Sequence, residues 1–278
     1  FAGKRGGGAG IGTGLNCDIE EIAITKSNII AKAPANGKEG GAGIGSGRAG
    51  SVGTIKITNC PSVEAVGGPH SAGIGCGGHH TLVTTILTTK CGPIVLTANN
   101  PDYKIKAFGG NKAAGIGTGL GGKFKGKTKE GNSIVIDGYS VDASGGYGGA
   151  GIGGGANGSG GRGADSDSIL IKGKGVINAN GGEGGAGIGG GSGHGTLSKF
   201  YVTGGYISAH AGNSDATDIG HGGDLYGIDK RLKKDGKIEI SGGTLLSNKI
   251  SDEADIIIDG GSVSANILRA KNSIKENV

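Results

Sequence analysis

The sequence predicts an all-β fold, a single-stranded parallel β-helix (β-solenoid) of about seven or eight coils with almost no helix, and three observations carry that expectation. The tetrapeptide Ala-Gly-Ile-Gly recurs with its isoleucine at Ile11, Ile44, Ile74, Ile116, Ile152 and Ile188, and a degenerate copy follows at Ile219. Between these copies a second pattern repeats: Ile-x-Ile, a glycine-bearing turn, then Val-x-Ala. Within each short run apolar residues alternate with polar ones, the period of a strand rather than of a helix.

The isoleucines of successive Ala-Gly-Ile-Gly copies lie 30 to 42 residues apart, the period of stacked repeats. The second pattern pairs Ile22 and Ile24 with Ile29 and Ala31, Ile55 and Ile57 with Val63 and Ala65, and Ile134 and Ile136 with Val141 and Ala143. It continues as Ile169 and Ile171 with Ile177 and Ala179, Val202 with Ile207 and Ala209, and Ile256 and Ile258 with Val263 and Ala265. Each unit therefore supplies three short strands. One unit cannot bury its own apolar face, but stacked copies set Ile on Ile at the ~4.8 Å strand spacing, so eight coils make a rod of roughly 34 to 38 Å.

The last coils are shorter: Ile240 and Ile258 are 18 residues apart, with no Ala-Gly-Ile-Gly between them. Such shortening suits a cap, because an uncapped coil exposes unpaired strand edges. The expected organisation is a glycine-rich solenoid over residues 1–268 and a polar C-terminal tail or cap over 269–278. Strict alternation in Ala-Gly-Ile-Gly puts Ala and Ile on one face and both glycines on the other, leaving a stripe of bare backbone. That stripe either packs under a loop of the same chain or docks a second copy or an extended polymer. A helical fold is excluded by the absence of i, i+3, i+4 apolar spacing and by glycines that would each cost about 1 kcal/mol in a helix.

Composition agrees. The 278 residues include 68 Gly and 5 Pro, a share typical of low-complexity chains, yet charged residues are only 18% and the net charge is +5, too little self-repulsion to hold the chain open. Without Met or Trp and with 4% aromatics, the core must be thin layers of Ile, Val, Leu and Ala. No apolar run approaches the ~18 residues of a membrane span. The opening residues, Phe1 to Gly12, read like Phe108 to Gly117, so the chain is expected to begin inside a repeat. Four cysteines, Cys17, Cys60, Cys76 and Cys91, have no CxxC spacing, which argues against zinc and redox motifs. Their even number suggests disulfides, with three pairings open, and free buried thiols are the alternative.

The GGAGIGGG modules at Gly148 to Gly155 and Gly184 to Gly191, each preceded by the Ile-x-Ile and Val-x-Ala unit, carry a resemblance. The chain resembles the glycine-rich repeats of large secreted or wall-attached bacterial proteins, and more broadly the right-handed parallel β-helices of adhesins and autotransporter passengers. The resemblance implies an extracellular or cell-surface location and contact with surfaces or glycans. It brings no catalytic residues. Because β-helices also host polysaccharide lyases and fructan-processing enzymes, a glycan-active enzyme and a glycan-binding module stand as alternatives to a structural or adhesive segment.

Few residues invite chemistry. The glycines from Gly145 to Gly155 match dinucleotide-loop spacings, but no helix follows and no GxxxxGK[ST] occurs, so no nucleotide cofactor is expected. Two loops leaving Ala-Gly-Ile-Gly are strongly basic: Lys123, Lys125, Lys127 and Lys129 in one, and Lys230, Arg231, Lys233, Lys234 and Lys237 in the other. They read either as solvated turns or as an anion-binding edge for acidic glycans or wall polymers. Nucleic acid is not expected, since little aromatic interleaving is present for stacking. His70, Cys76, His79 and His80 flank the third Ala-Gly-Ile-Gly and are weak candidates for a soft-metal site. Asp165 and Asp167 lack the repeated Asp-containing nonapeptide of calcium-binding β-rolls. In the seventh copy polar groups replace small ones, and His194 and His210 lie nearby. Asp218, His221 and Asp224 are the acid-base or metal candidates there if the chain is an enzyme, and terminal drift is the alternative. The expected partners are a second copy of the chain or a glycan or cell-surface polymer.

Overall fold

The computed structural model describes residues 7–34, 40–78, 89–156, 163–213, 215–224, 236–251, 253–268 and 274–276, and every described element is a β-strand. All pairings between strands are parallel and join one coil to the next, as the repeat predicts. Because the inward side chains of adjacent coils are chemically alike, the register that hydrogen-bonds the backbones also stacks the core.

Three columns result. The Ile-x-Ile strands form one wall, in which Ile22, Ile55, Ile94, Ile134, Ile169, Phe200, Ile238 and Ile256 lie in register. The Val-x-Ala strands form a second, with Ala31, Ala65, Ala107, Ala143, Ala179, Ala209, Ser247 and Ala265 in line. The third holds the repeat isoleucines from Ile11 to Ile219. Away from the first and last coils these side chains are fully enclosed. The third coil also keeps the pattern, with Ile94–Thr97 and Lys104–Phe108 in the two walls, although its spacing disguises it.

Ala-Gly-Ile-Gly is an arch rather than an extended strand. In every copy the first residue's N–H donates to the carbonyl four residues on: Ala9 to Thr13, Ala42 to Ser46, Ala72 to Cys76, Ala114 to Thr118, Ala150 to Gly154, Ala186 to Gly190 and Thr217 to His221, at 2.9 to 3.2 Å. Only the central Ile-Gly pair joins the sheet. Its glycine adopts φ between +133° and +146°, a region L side chains rarely enter. There is also no room: a methyl group on Gly153 would lie 2.0 Å from the Gly189 carbonyl oxygen. The first glycine of the motif is pressed against the end of the Val-x-Ala strand, where a methyl on Gly151 would lie 2.6 Å from the Asn180 nitrogen. The expected stripe of bare backbone is thus buried inside the molecule and is not a docking surface.

The C-terminal shortening is a loss of loops, not of columns. Leu197–His210 and Lys237–Ile250 each run through both walls as one strand. Ile250 then stacks on Ile219, and Leu268 on Ile250, so the third column continues without the tetrapeptide. Beyond residue 268 the backbone of Ile274–Glu276 pairs with Asp255–Ile258, so the parallel ladder reaches into the segment expected to be a tail.

Candidate functional site

Two short strands unforeseen from the repeat, Lys90–Cys91 and Lys123–Phe124, follow the arches of the third and fourth coils and pair in register. Lys90 and Lys123 consequently sit side by side on neighbouring strands, both exposed, at a spacing of ~4.8 Å. Three other pairs between coils join opposite charges: Lys32 with Glu64 at 2.8 Å, Lys56 with Glu21 at 3.1 Å and Lys172 with Asp137 at 3.1 Å. The first of these pairs, chiefly through the Lys32 hydrogen bond, holds the Glu64 carboxyl below its ordinary range. Like charges directly opposite are unfavourable, and the Lys90–Lys123 pair shares that feature with Lys199–Lys237.

Lys90 and Lys125 border an open groove of about 460 Å³, whose other side carries Asp18, Glu20 and Ser51. Gly53 lies in it as exposed backbone. Glycine is required there because the chain closes on itself: a methyl on Gly53 would lie 2.2 Å from the Glu20 carbonyl oxygen, and one on Gly92 1.3 Å from that of Gly53. The groove therefore exposes main chain at Gly53, with lysines on one side and carboxylates on the other. Asp18 is committed in part to the fold, accepting the Ser51 N–H at 2.7 Å.

The first basic loop divides. Lys123 and Lys125 belong to the ladder and groove, while Lys127 pairs with Asp167 of the next coil at 3.2 Å. Lys129 lies near Glu130, whose carboxyl is held low chiefly by its own backbone N–H, then by Thr128, with Lys172 and Lys129 adding less. Lys230, Arg231, Lys233 and Lys234 fall outside the described residues. Lys237 begins the following strand, opposite Lys199, and bonds Glu239 at 2.5 Å.

In the seventh coil the candidate residues serve the fold. The Asp218 carboxylate is taken up by main-chain donors: Ala211 N–H at 2.6 Å, Lys249 N–H at 2.9 Å and the Asn248 N–H, with the Ser247 hydroxyl at 3.2 Å. It ties the last long coil to the first short one. His221 is buried and its carbonyl closes the arch, accepting both the N–H and the hydroxyl of Thr217. Asp224 faces His194 of the preceding coil at 3.8 Å, and His210 contacts the Ser208 hydroxyl at 3.0 Å. Among the described residues no group of three or more His, Cys, Asp and Glu side chains lies close enough to hold a metal. Asp218, His221 and Asp224 thus form no metal-holding group among the described residues, and main-chain donors occupy the Asp218 carboxylate.

The same holds around the third arch. His70 turns its Nδ1 to the Asn111 carbonyl at 3.1 Å, Cys76 is sealed in the interior, and His79 and His80 lie outside the described residues. All four cysteines are free thiols in this structure, Cys17 exposed and Cys60, Cys76 and Cys91 buried. Among the described residues no helix is long and apolar enough to cross a membrane.

Residue-level reasoning missed Lys90, Asp18, Glu20 and the Gly53–Gly92 contact. Lys90 lies 16 residues after Ile74 whereas Lys123 lies 7 after Ile116, so counting from the repeat never aligns them. The fold and surface define a parallel β-solenoid with a lysine-edged groove. No protein-family model, curated protein or solved structure matches the chain.

Proposed function

We propose that this chain is a non-enzymatic segment of an extracellular or cell-surface protein, a structural and adhesive solenoid whose groove holds an acidic polysaccharide or wall polymer. The observation that carries the reading is the in-register Lys90–Lys123 pair beside Lys125 and an open groove that Lys90 and Lys125 border. The paired lysines gather positive charge at the end of the groove away from Asp18 and Glu20, and an anionic ligand there would relieve that repulsion. The GGAGIGGG modules support the same setting through their likeness to secreted and wall-attached bacterial repeats.

The test is binding of a uronic-acid or sulfated polysaccharide over a salt series, with the parent compared to the triple variant Lys90→Gln, Lys123→Gln, Lys125→Gln. Binding should weaken steeply as salt rises, and the variant should bind at least about tenfold more weakly at low salt. Salt-independent binding, equal binding by the variant, or no binding to any polyanion would reject the reading.

A further inference from the structure

One column of the interior accounts for three hydroxyl residues and leaves a cysteine to explain. The residue after each arch points inward, and in successive coils it is Thr13, Ser46, Cys76 and Thr118. Each hydroxyl accepts the N–H that follows the equivalent residue one coil on: Thr13 from Gly47 at 2.9 Å, Ser46 from Gly77 at 2.9 Å and Thr118 from Gly155 at 2.9 Å. At Cys76 the same position is held by sulfur, which accepts the Gly119 N–H.

This sulfur has a second neighbour that the hydroxyls lack. The strand Lys90–Cys91 brings Cys91 against the arch, where its thiol donates to the Gly117 carbonyl at 3.5 Å, the same oxygen that accepts the Cys76 N–H at 3.2 Å. Thr89, two residues before, sets its hydroxyl 3.8 Å from the Cys76 sulfur. Gly122 closes the space, since a methyl there would lie 2.9 Å from that sulfur. Both thiols are fully buried. The neighbouring Cys91 thiol is the largest influence holding the Cys76 thiol below the usual range, and the same contact pushes the Cys91 thiol up.

The structure assigns Cys76 and Cys91 as one intramolecular disulfide site, closing the chain around residues 77–90, with Cys17 and Cys60 left outside it. Cys17 and Cys60 cannot pair with each other. Cys17 precedes Ile19–Thr25 and Cys60 follows Val52–Thr58, two strands in register, so a seven-residue strand of about 20 Å separates them. A disulfide requires Cα atoms within about 7 Å.

The oxidant is a small-molecule disulfide of the glutathione class, acting as the chain folds. The Cys76 thiolate attacks one of its sulfurs and expels a thiolate, leaving a mixed disulfide. That thiolate takes the Cys91 proton. The Cys91 sulfur then attacks the Cys76 sulfur and expels the second thiolate, which takes the proton Cys76 had released. Two protein thiols become one S–S bond, and the small disulfide is reduced to two thiols.

The test refolds the full chain in glutathione redox buffer, unfolds it with an alkylating reagent and counts the modified cysteines by mass spectrometry. Two should be alkylated, Cys17 and Cys60. Trypsin should leave Cys91–Lys104 joined to Ile57–Lys90, and because the latter holds both Cys60 and Cys76, the mapping is repeated in Cys60→Ser. The oxidised parent should melt above the reduced parent, and Cys91→Ser should remove that difference. Four alkylated cysteines, a link through Cys17 or Cys60, or an oxidised parent that melts no higher would each overturn the assignment. The Cys60→Ser variant keeps the pair intact, so the result does not depend on Cys91→Ser folding.

Discussion

Between Ile152 and Ile188 the chain uses 36 residues for one turn, and between Ile250 and Leu268 it uses 18, yet both turns carry the same three columns. The long turn adds an arch and its loops, held by backbone packed on backbone, and glycine is obligatory there. The short turn sets Asp255–Ile258 and Ser262–Leu268 in the two walls and reaches the third column with Leu268 in place of the tetrapeptide. The core, then, needs about half of the repeat. The remainder adds the arches and their loops, and it carries the lysine pair and the buried cysteine pair.

Asp218 marks where one design gives way to the other. It stands where earlier arches have Gly43, Gly73, Gly115, Gly151 and Gly187. Those glycines are crowded by their own and neighbouring coils, whereas the following coil here passes with its Asn248 and Lys249 N–H groups directed at the side chain. A residue that looks catalytic in the sequence is a tie between unequal coils.

The largest effect should come from Ile152→Asp, which buries an unpaired charge in a middle coil and loses both neighbouring interfaces. A loss of more than about 4 kcal/mol is expected in denaturant titration, and a variant as stable as the parent would show that the column is not inward. Next comes Gly153→Ala, with a clash against Gly189 added to an unfavourable φ. It should cost about 3 kcal/mol, against about 1 kcal/mol for Gly131→Ala, where φ is +85° but nothing lies within 4 Å. Equal costs would mean that conformation alone, and not backbone stacking, demands glycine in the arch.

Asp218→Ala should cost about 2 to 3 kcal/mol, because several N–H groups lose their acceptor. Its signature is local: hydrogen exchange should quicken over 236–268 and stay unchanged over 89–156. Uniform acceleration would place the tie elsewhere. The smallest effect is Lys123→Gln, which relieves the repulsion with Lys90. It should raise Tm slightly at low salt, and the gain should vanish at high salt. A lowered Tm would show that Lys123 stabilises the ladder.

The sequence by itself determined the strand type, the parallel stacking and nearly every inward residue, because a solenoid core is local: alternation within a strand says what points in, and identity between repeats says what lies on what. Even the arch glycines announced themselves, although period-two reasoning made an exposed stripe of a motif that bends back on itself. What lies between the columns was not legible. The third coil's insertion hides that Lys90 meets Lys123, since register along the axis is set by hydrogen bonding and not by residue count. Asp218 and Asp224 are close in sequence, but one is taken up by the main chain of the following coil and the other faces His194 of the preceding coil. Cys76 and Cys91 became a pair only when the short strand after the insertion folded against the arch, a contact between coil and loop that no period predicts.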